Sequence, residues 1–252
     1  MKKSKIAISL DRLLLNLVDS KVDGSVIRSR SQAIEFFLAK GLQEQSINTA
    51  VLLTKGEHQL LALKKIRGIS LLKQQIDFFQ RNGVNKVYII TNHSENIHLL
   101  LNEIANAQIE AKIIEKEVKG NAKALFSIKG LLKQSFVVMS GDTYNNFELI
   151  NMIKKHINAD KLATIGLMSR AEPSKYGTAV LDGDLVVDFQ EKPQKARTHI
   201  VNAGIYIFKP EIFELLNKDT VSVERDLLPR LARIRQLASY FTHGEYFHIG
   251  GK

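Results

Sequence analysis

Ser140-Gly141-Asp142 follows the apolar run Phe136–Met139, which places a carboxylate just past the end of a predicted strand. At the carboxyl end of a strand in an open α/β sheet, a carboxylate is well placed to hold a divalent cation beside a phosphate. Three more polar clusters follow in order: Lys175-Tyr176-Gly177, then Asp188-Phe189-Gln190-Glu191-Lys192-Pro193, then Val201-Asn202-Ala203-Gly204 opening the run to Phe208. Near the start of the chain, Ser29-Arg30-Ser31-Gln32 matches an S-x-x-Q capping box. There the serine hydroxyl accepts a backbone hydrogen bond and the glutamine reaches back to satisfy another. Taken singly these features have plain alternatives. Gly141-Asp142 also fits a turn, Glu191-Lys192-Pro193 a solvated loop, Asn202 a strand-edge residue and Ser29 an ordinary cap.

The elements that must carry these residues follow from composition and periodicity. The chain has 252 residues, 44% of them hydrophobic, enough to bury a sizeable core as one large domain or a small one plus a medium one. A net charge of +10 favours polyanionic partners such as nucleic acid and equally suits a protein that simply stays dissolved. Without cysteine there are no disulfides, thiolate metal sites or cysteine nucleophiles. The longest apolar runs fall far short of the roughly 20 residues needed to cross a bilayer, and Met1-Lys2-Lys3 leads into no signal-peptide core. The expectation is a soluble, cytoplasmic protein with no membrane partner.

Lys5-Ile6-Ala7-Ile8-Ser9-Leu10 alternates with period two, the pattern of a strand with Ile6, Ile8 and Leu10 facing inward. Leu13, Leu14, Leu17 and Val18 then recur at helical spacing between Asp11 and about Val22, and Asp23-Gly24 ends that helix. The capping box predicts a second helix from about Arg30, through Ala33, Ile34, Phe37 and Leu38, to a stop at Gly41. One strand without a ladder partner, in some 40 residues, buries too little to fold alone. A second copy pairing its strand antiparallel would satisfy both edges and make a ribbon that fits the DNA major groove.

This segment, from Lys3 to about Gln45, resembles the ribbon-helix-helix family of dimeric DNA-binding proteins, the stretch Arg28–Ile34 included. The resemblance implies double-stranded DNA as partner and Lys3, Lys5, Ala7, Ser9, Ser29 and Arg30 as DNA-binding residues. Lys5 could donate to guanine O6 and N7, Ser9 donate or accept, and Ala7 touch a thymine methyl. The helix opened by Ser29 would face a phosphate with Arg30 nearby. An edge strand of the larger domain, a mere dimerisation device and an antitoxin with a toxin-binding tail are the alternatives.

Glu44-Gln45-Ser46-Ile47-Asn48-Thr49 is a polar joint, which sets domains at 1–46 and 47–252. Beyond it, strands at Ala50–Leu53, Lys86–Thr91, Ala111–Ile114 and Phe136–Met139 alternate with helices at about Leu71–Asn82, Asn96–Asn106 and Ala122–Lys133. That alternation implies a mostly parallel sheet with helices on both faces.

From Ala50 onward, the polar clusters named above, with Glu224-Arg225-Asp226-Leu227-Leu228-Pro229 as a late helix, resemble the sugar-phosphate nucleotidyltransferases. These join a nucleoside triphosphate to a sugar 1-phosphate and release pyrophosphate. The resemblance implies a Rossmann-like α/β domain with a mixed, mostly parallel sheet, with Asp142 holding Mg²⁺, Glu191 and Lys192 lining the sugar side, and Asn202 and Gly204 at the sugar ring. Gly177 would allow a close backbone approach, and Gly56 and Gly120 would lie near the nucleotide, Gly120 in the Gly120-Asn121-Ala122 loop. The sequence departs from the pattern twice. After Leu53-Thr54-Lys55-Gly56 the glycine-rich loop is missing, and Leu60-Leu61 stands where the family has proline-lysine. Near the end, Tyr246-Phe247-His248-Ile249-Gly250 puts His248 in the place of the second metal carboxylate, and imidazole is a poor ligand for Mg²⁺. Phosphoryl transfer depends on such donors and cations. Lys64, Lys65 and Arg67 could in principle replace them. The expectation is therefore a DNA-binding regulator, dimeric or of higher order, whose nucleotidyltransferase-like domain binds a sugar phosphate, nucleotide sugar or nucleotide without efficient catalysis. No catalytic residue or cofactor is certain. The alternative is an active nucleotidyltransferase, with Mg²⁺, carrying a DNA-binding arm.

Overall fold

In a computed structural model of the chain, the structure describes residues 7–24, 27–44, 47–54, 56, 59–217, 219–242 and 244–249. Lys3, Lys5, the first part of the expected ribbon strand and Gly250 lie outside the described residues. Contacts divide the chain into two compact units, Met1–Ser46 and Ile47–Lys252.

In the first unit, α1 (Arg12–Asp19) starts at Asp11, whose side chain accepts from Leu14 N at 2.8 Å. Gly24, at φ +73°, turns the chain towards α2 (Arg30–Glu44). The capping box forms nearly as expected. Ser29 Oγ accepts from Gln32 N at 3.2 Å, and Gln32 Oε1 accepts from Arg28 N at 2.9 Å, one residue before the position expected. Gly41 does not stop α2, which continues to Glu44. A single interior glycine costs only about 1 kcal/mol relative to alanine, which a helix of this length absorbs. Residues 7–10 form no strand, and Ile8 faces solvent rather than inward. One chain offers that segment no ladder to join.

The second unit begins with β1 (Thr49–Leu53), α3 (Gln59–Ala62), the short hairpin β2 (Lys65–Ile66) and β3 (Ile69–Ser70), and α4 (Leu71–Arg81). There follow β4 (Lys86–Thr91), α5 (Ile97–Ile104), β5 (Glu110–Glu115), α6 (Asn121–Phe126), β6 (Phe136–Ser140), β7 (Thr143–Asn145), α7 (Leu149–Ala159) and β8 (Ala163–Ser169). The unit closes with β9 (Gly177–Asp182), β10 (Leu185–Glu191), β11 (Ile200–Phe208), α8 (Leu228–Arg233), β12 (Leu237–Phe241) and β13 (Tyr246–His248). The helix expected over Ala122–Lys133 stops at Phe126, where Ser127 turns its hydroxyl back onto Ala124 O, and only a 3₁₀ turn follows at Lys129–Leu131. The late helix opens as a π-turn at Val223–Leu227 before α8.

Nine strands form one sheet in the order β5-β4-β1-β6-β11-β8-β12-β10-β9. The half from β5 to β6 is parallel, as helical crossovers require. The other half is not. There β11 runs antiparallel to both β6 and β8, and β9–β10 is a hairpin turned at Gly183 (φ +58°); β8–β12 alone is parallel. The sheet is thus mixed, as expected, but not mostly parallel, because β11 enters antiparallel between β6 and β8 and β9–β10 is a hairpin.

Strand alternation builds a core on each face. Ala50 and Leu52 of β1, with Val87, Ile89, Val137 and Met139, pack under α4, α5 and α7. Val51, with Tyr88, Ile90, Phe136 and Val138, packs with Leu125 of α6 and Leu228 and Leu231 of α8. Among the described residues no helix is long and apolar enough to cross a membrane.

Candidate functional site

The carboxyl ends of β1, β4 and β6 open into one cleft of about 830 Å³. Asp142 enters it because β6 ends at Ser140, whose hydroxyl donates to Asp142 Oδ1 at 2.6 Å. Gly141 lies so close to β1 that a Cβ there would sit 2.1 Å from Thr54 Oγ1. From the other side β13 brings His248 Nε2 to 3.3 Å from Asp142 Oδ2, and Ile249 N donates to Asp142 O at 2.9 Å.

β10 delivers Glu191 and Lys192 to the same cleft. Burial, then the charge of Glu224, pushes the Glu191 carboxyl above its ordinary range. Glu224 is held by three donors: Tyr206 Oη at 3.0 Å, Asn121 Nδ2 at 2.8 Å and Ser222 Oγ at 3.0 Å. The Tyr206 phenol is held neutral, its pKa driven far up first by burial and then by Glu224.

Of the expected ligand residues, Gly56, Gly120, Glu191 and Lys192 line this cleft with Asp142. Asn202 and Gly204 do not. Asn202 is buried and bonds inward, donating to Tyr206 Oη at 2.7 Å and accepting from Gly204 N at 2.9 Å, where β11 bulges at Gly204 (φ +66°). It therefore orients Tyr206 from behind. Gly177 also lies outside the lining, and the close approach it permits is by protein. A Cβ there would sit 2.5 Å from Phe189 Cζ and 2.7 Å from Glu191 Oε2. In the first unit, Arg30 makes a two-point pair with Asp19 at 2.6 Å, so its guanidinium is already engaged.

Lys64, Lys65 and Arg67 do not enter the cleft. The two lysines are exposed, and Arg67, at the positive-φ turn of the β2–β3 hairpin, pairs with Glu245 at 3.1 Å. At the start of α3, buried Gln59 donates to Thr91 Oγ1 and Asn92 O, both at 2.8 Å, and accepts from Ser94 Oγ.

The residues do not make an all-protein Mg²⁺ site. Among the described residues no three or more His, Asp or Glu side chains gather as a metal site, and the Asp142–His248 pair offers one oxygen and one nitrogen to an ion that prefers oxygen.

The sequence reading passed over Tyr206, Glu224 and Ser222 as site residues. A tyrosine hydroxyl in an apolar strand was the available signal, since a buried phenol needs a partner.

Comparison with known proteins fits this geometry. The family model described as nucleotidyl transferase matches residues 53–245. The catalytic subunit beta of mannose-1-phosphate guanylyltransferase from Drosophila pseudoobscura pseudoobscura is 34% identical over 140 residues, covering 54% of this chain and 38% of that protein. Its Xenopus tropicalis counterpart is 28% identical over 190 residues, covering 71% and 52%. The chain thus spans about half or less of the length of these relatives. HddC from Yersinia pseudotuberculosis shares the fold at a TM-score of 0.70, with 21% identity over 81% of this chain and 94% of that one. A UDP-glucose pyrophosphorylase solved with UDP-glucose reaches 0.66, with 19% identity over 82% and 94%. With the family model spanning well over half of its length, the chain belongs to the nucleotidyl transferase family.

Proposed function

We propose that the Ile47–Lys252 unit is a sugar-phosphate nucleotidyltransferase and that the first unit is a DNA-binding arm active as a homodimer. A sugar 1-phosphate oxygen attacks the α-phosphorus of a nucleoside triphosphate, the bond to the β-phosphate oxygen breaks, and pyrophosphate leaves. The observation that carries this reading is Asp142, at the carboxyl end of β6, sharing one cleft with Glu191 and Lys192. Lys192 supplies charge for the sugar phosphate, and the Glu191 carboxyl oxygens can accept hydrogen bonds from sugar hydroxyls. The relatives named for mannose 1-phosphate guanylyl transfer support turnover over binding alone and suggest GTP with mannose 1-phosphate as the first pair to try. In this reading Mg²⁺ would arrive as a companion of the triphosphate.

A specific observation favours a second reading, a ligand-sensing regulator. Gln59 is bonded to Thr91 and Asn92, and among the described residues Lys64, Lys65 and Arg67 stay out of the cleft, so none of these three brings its charge to a triphosphate. A sensor must bind its ligand with different affinity in its DNA-competent and incompetent forms. Pyrophosphate release from GTP and mannose 1-phosphate decides between the two. Turnover that disappears in Asp142→Ala supports the transferase; GDP-mannose binding with no turnover supports the sensor.

The DNA-binding arm draws support from the reciprocal cap at Ser29 and Gln32 and from apolar side chains left in solvent: Leu13 is 78% exposed, Leu17 62%, Leu38 52% and Phe36 49%. A second copy of the chain is the partner that would cover them. Salt-sensitive binding to duplex DNA, weakened in Lys5→Ala, is the expected result. Binding indifferent to salt and to that change would leave only a dimerisation role.

A further inference from the structure

Two segments about a hundred residues apart are clamped into one wall of the cleft. Asn121 accepts from Val223 N through Oδ1 at 2.8 Å and donates to Glu224 Oε2 through Nδ2 at 2.8 Å, while Ala122 N donates to Val221 O at 3.1 Å. The approach is so close that only glycine fits at position 120: its φ is +96°, and a Cβ would lie 2.2 Å from Val221 O. The residues flanking these clamps are Lys119 and Arg225. Both are exposed and both line the cleft, where the charges of Lys192 and Arg225 also act on the Glu191 carboxyl. The nearest acid in sequence, Glu224, is turned onto Tyr206, Asn121 and Ser222 instead.

We propose that Lys119 and Arg225 form an anion-binding wall that takes the pyrophosphate group of the nucleotide or nucleotide sugar. The inference rests on the proposed ligand class and deepens it, because it moves phosphate neutralisation from the segment after β1 to the wall made by the β5–α6 loop and the π-turn. Two cations on one wall of the cleft can both donate charge-assisted hydrogen bonds to a bound dianion. Lys192, just past β10, is left for the sugar phosphate. Asn121 is a positioning residue: it holds the two cation-bearing segments together.

Calorimetric titration of the full chain with inorganic pyrophosphate and, separately, with mannose 1-phosphate tests this. In Lys119→Ala/Arg225→Ala, pyrophosphate affinity should fall about tenfold for each cation removed, while mannose 1-phosphate stays within about twofold. Lys119→Arg, which keeps the charge, should retain most of the pyrophosphate affinity, and all variants should unfold at the wild-type temperature. Unchanged pyrophosphate affinity in the double variant, or equal weakening of both ligands, overturns the wall. If the wild type binds neither ligand, the wall and the proposed function fall together. Loss confined to pyrophosphate, in a protein that shows no turnover, keeps the wall and rejects only the transferase.

Discussion

α1 and α4 are both amphipathic, yet α4 buries Leu71, Leu72, Gln75, Ile76, Phe78 and Phe79, and α1 buries none of its residues. The pattern of apolar residues is therefore not what separates the two units. The difference is supply: α4 has a nine-stranded sheet to lie on, whereas α1 belongs to a segment of 46 residues whose described part contains no strand. A helix whose apolar stripe stays largely exposed among the described residues points to a partner outside its own chain. The second unit, with a core on each face of its sheet, is self-contained.

Substitutions can break or sharpen this contrast. The largest effect should come from Phe79→Ala, fully buried in α4, which is expected to lose about 3–5 kcal/mol in urea unfolding without changing the oligomeric state. A change of assembly there would mean that the second unit also depends on a partner.

Next in size is an acid effect. His156 is buried on α7, with Nδ1 2.9 Å from Thr164 Oγ1 and no partner for Nε2. Burial, and then the charge of Lys209, lowers its pKa from 6.5 to about 4. The unfolded chain therefore takes up this proton first as pH falls. The stabilisation is complete above pH 6.5, declines towards pH 4, and amounts to ~3 kcal/mol for this group. His156→Leu should flatten that part of the stability profile; an unchanged profile would show that His156 does not titrate in this way.

Smaller effects belong to the first unit. Asp11→Ala and Ser29→Ala each remove a helix cap and should cost about 1 kcal/mol, seen in the melting of α1 and α2 by circular dichroism. Smallest of all, Asp19→Asn breaks an exposed pair with Arg30 and should barely change unfolding, less still at high salt.

Legibility in the sequence followed the same divide between local and distant causes. The strand at Lys86–Thr91 was readable to the residue, because apolar runs between turn signals report directly on burial. Gly41 misled, since a glycine ends a helix only when its φ turns positive, and here it does not. The antiparallel half of the sheet had a visible cue in Asp182-Gly183-Asp184, a hairpin signal passed over in favour of continued alternation. In the cleft, the position of Asp142 was legible from the end of its strand, whereas Glu191 and Lys192, which line the same cleft, were singled out only by family resemblance. The Tyr206–Glu224–Asn121 network was not legible, because its members lie on three separate elements and only the folded sheet brings them within hydrogen-bond reach. Nothing local announces the bulge in β11 beside which Asn202 bonds to Tyr206 rather than lining the cleft.

The contrast between the two units is tested most directly by sedimentation equilibrium of the full chain beside Leu13→Asp/Leu17→Asp. A dimeric wild type and a monomeric variant, both with the same thermal unfolding of the second unit and the same affinity for GDP-mannose, is the result expected. A monomeric wild type, or a variant that remains dimeric, would contradict the claim that the first unit's exposed apolar residues are completed by a second copy.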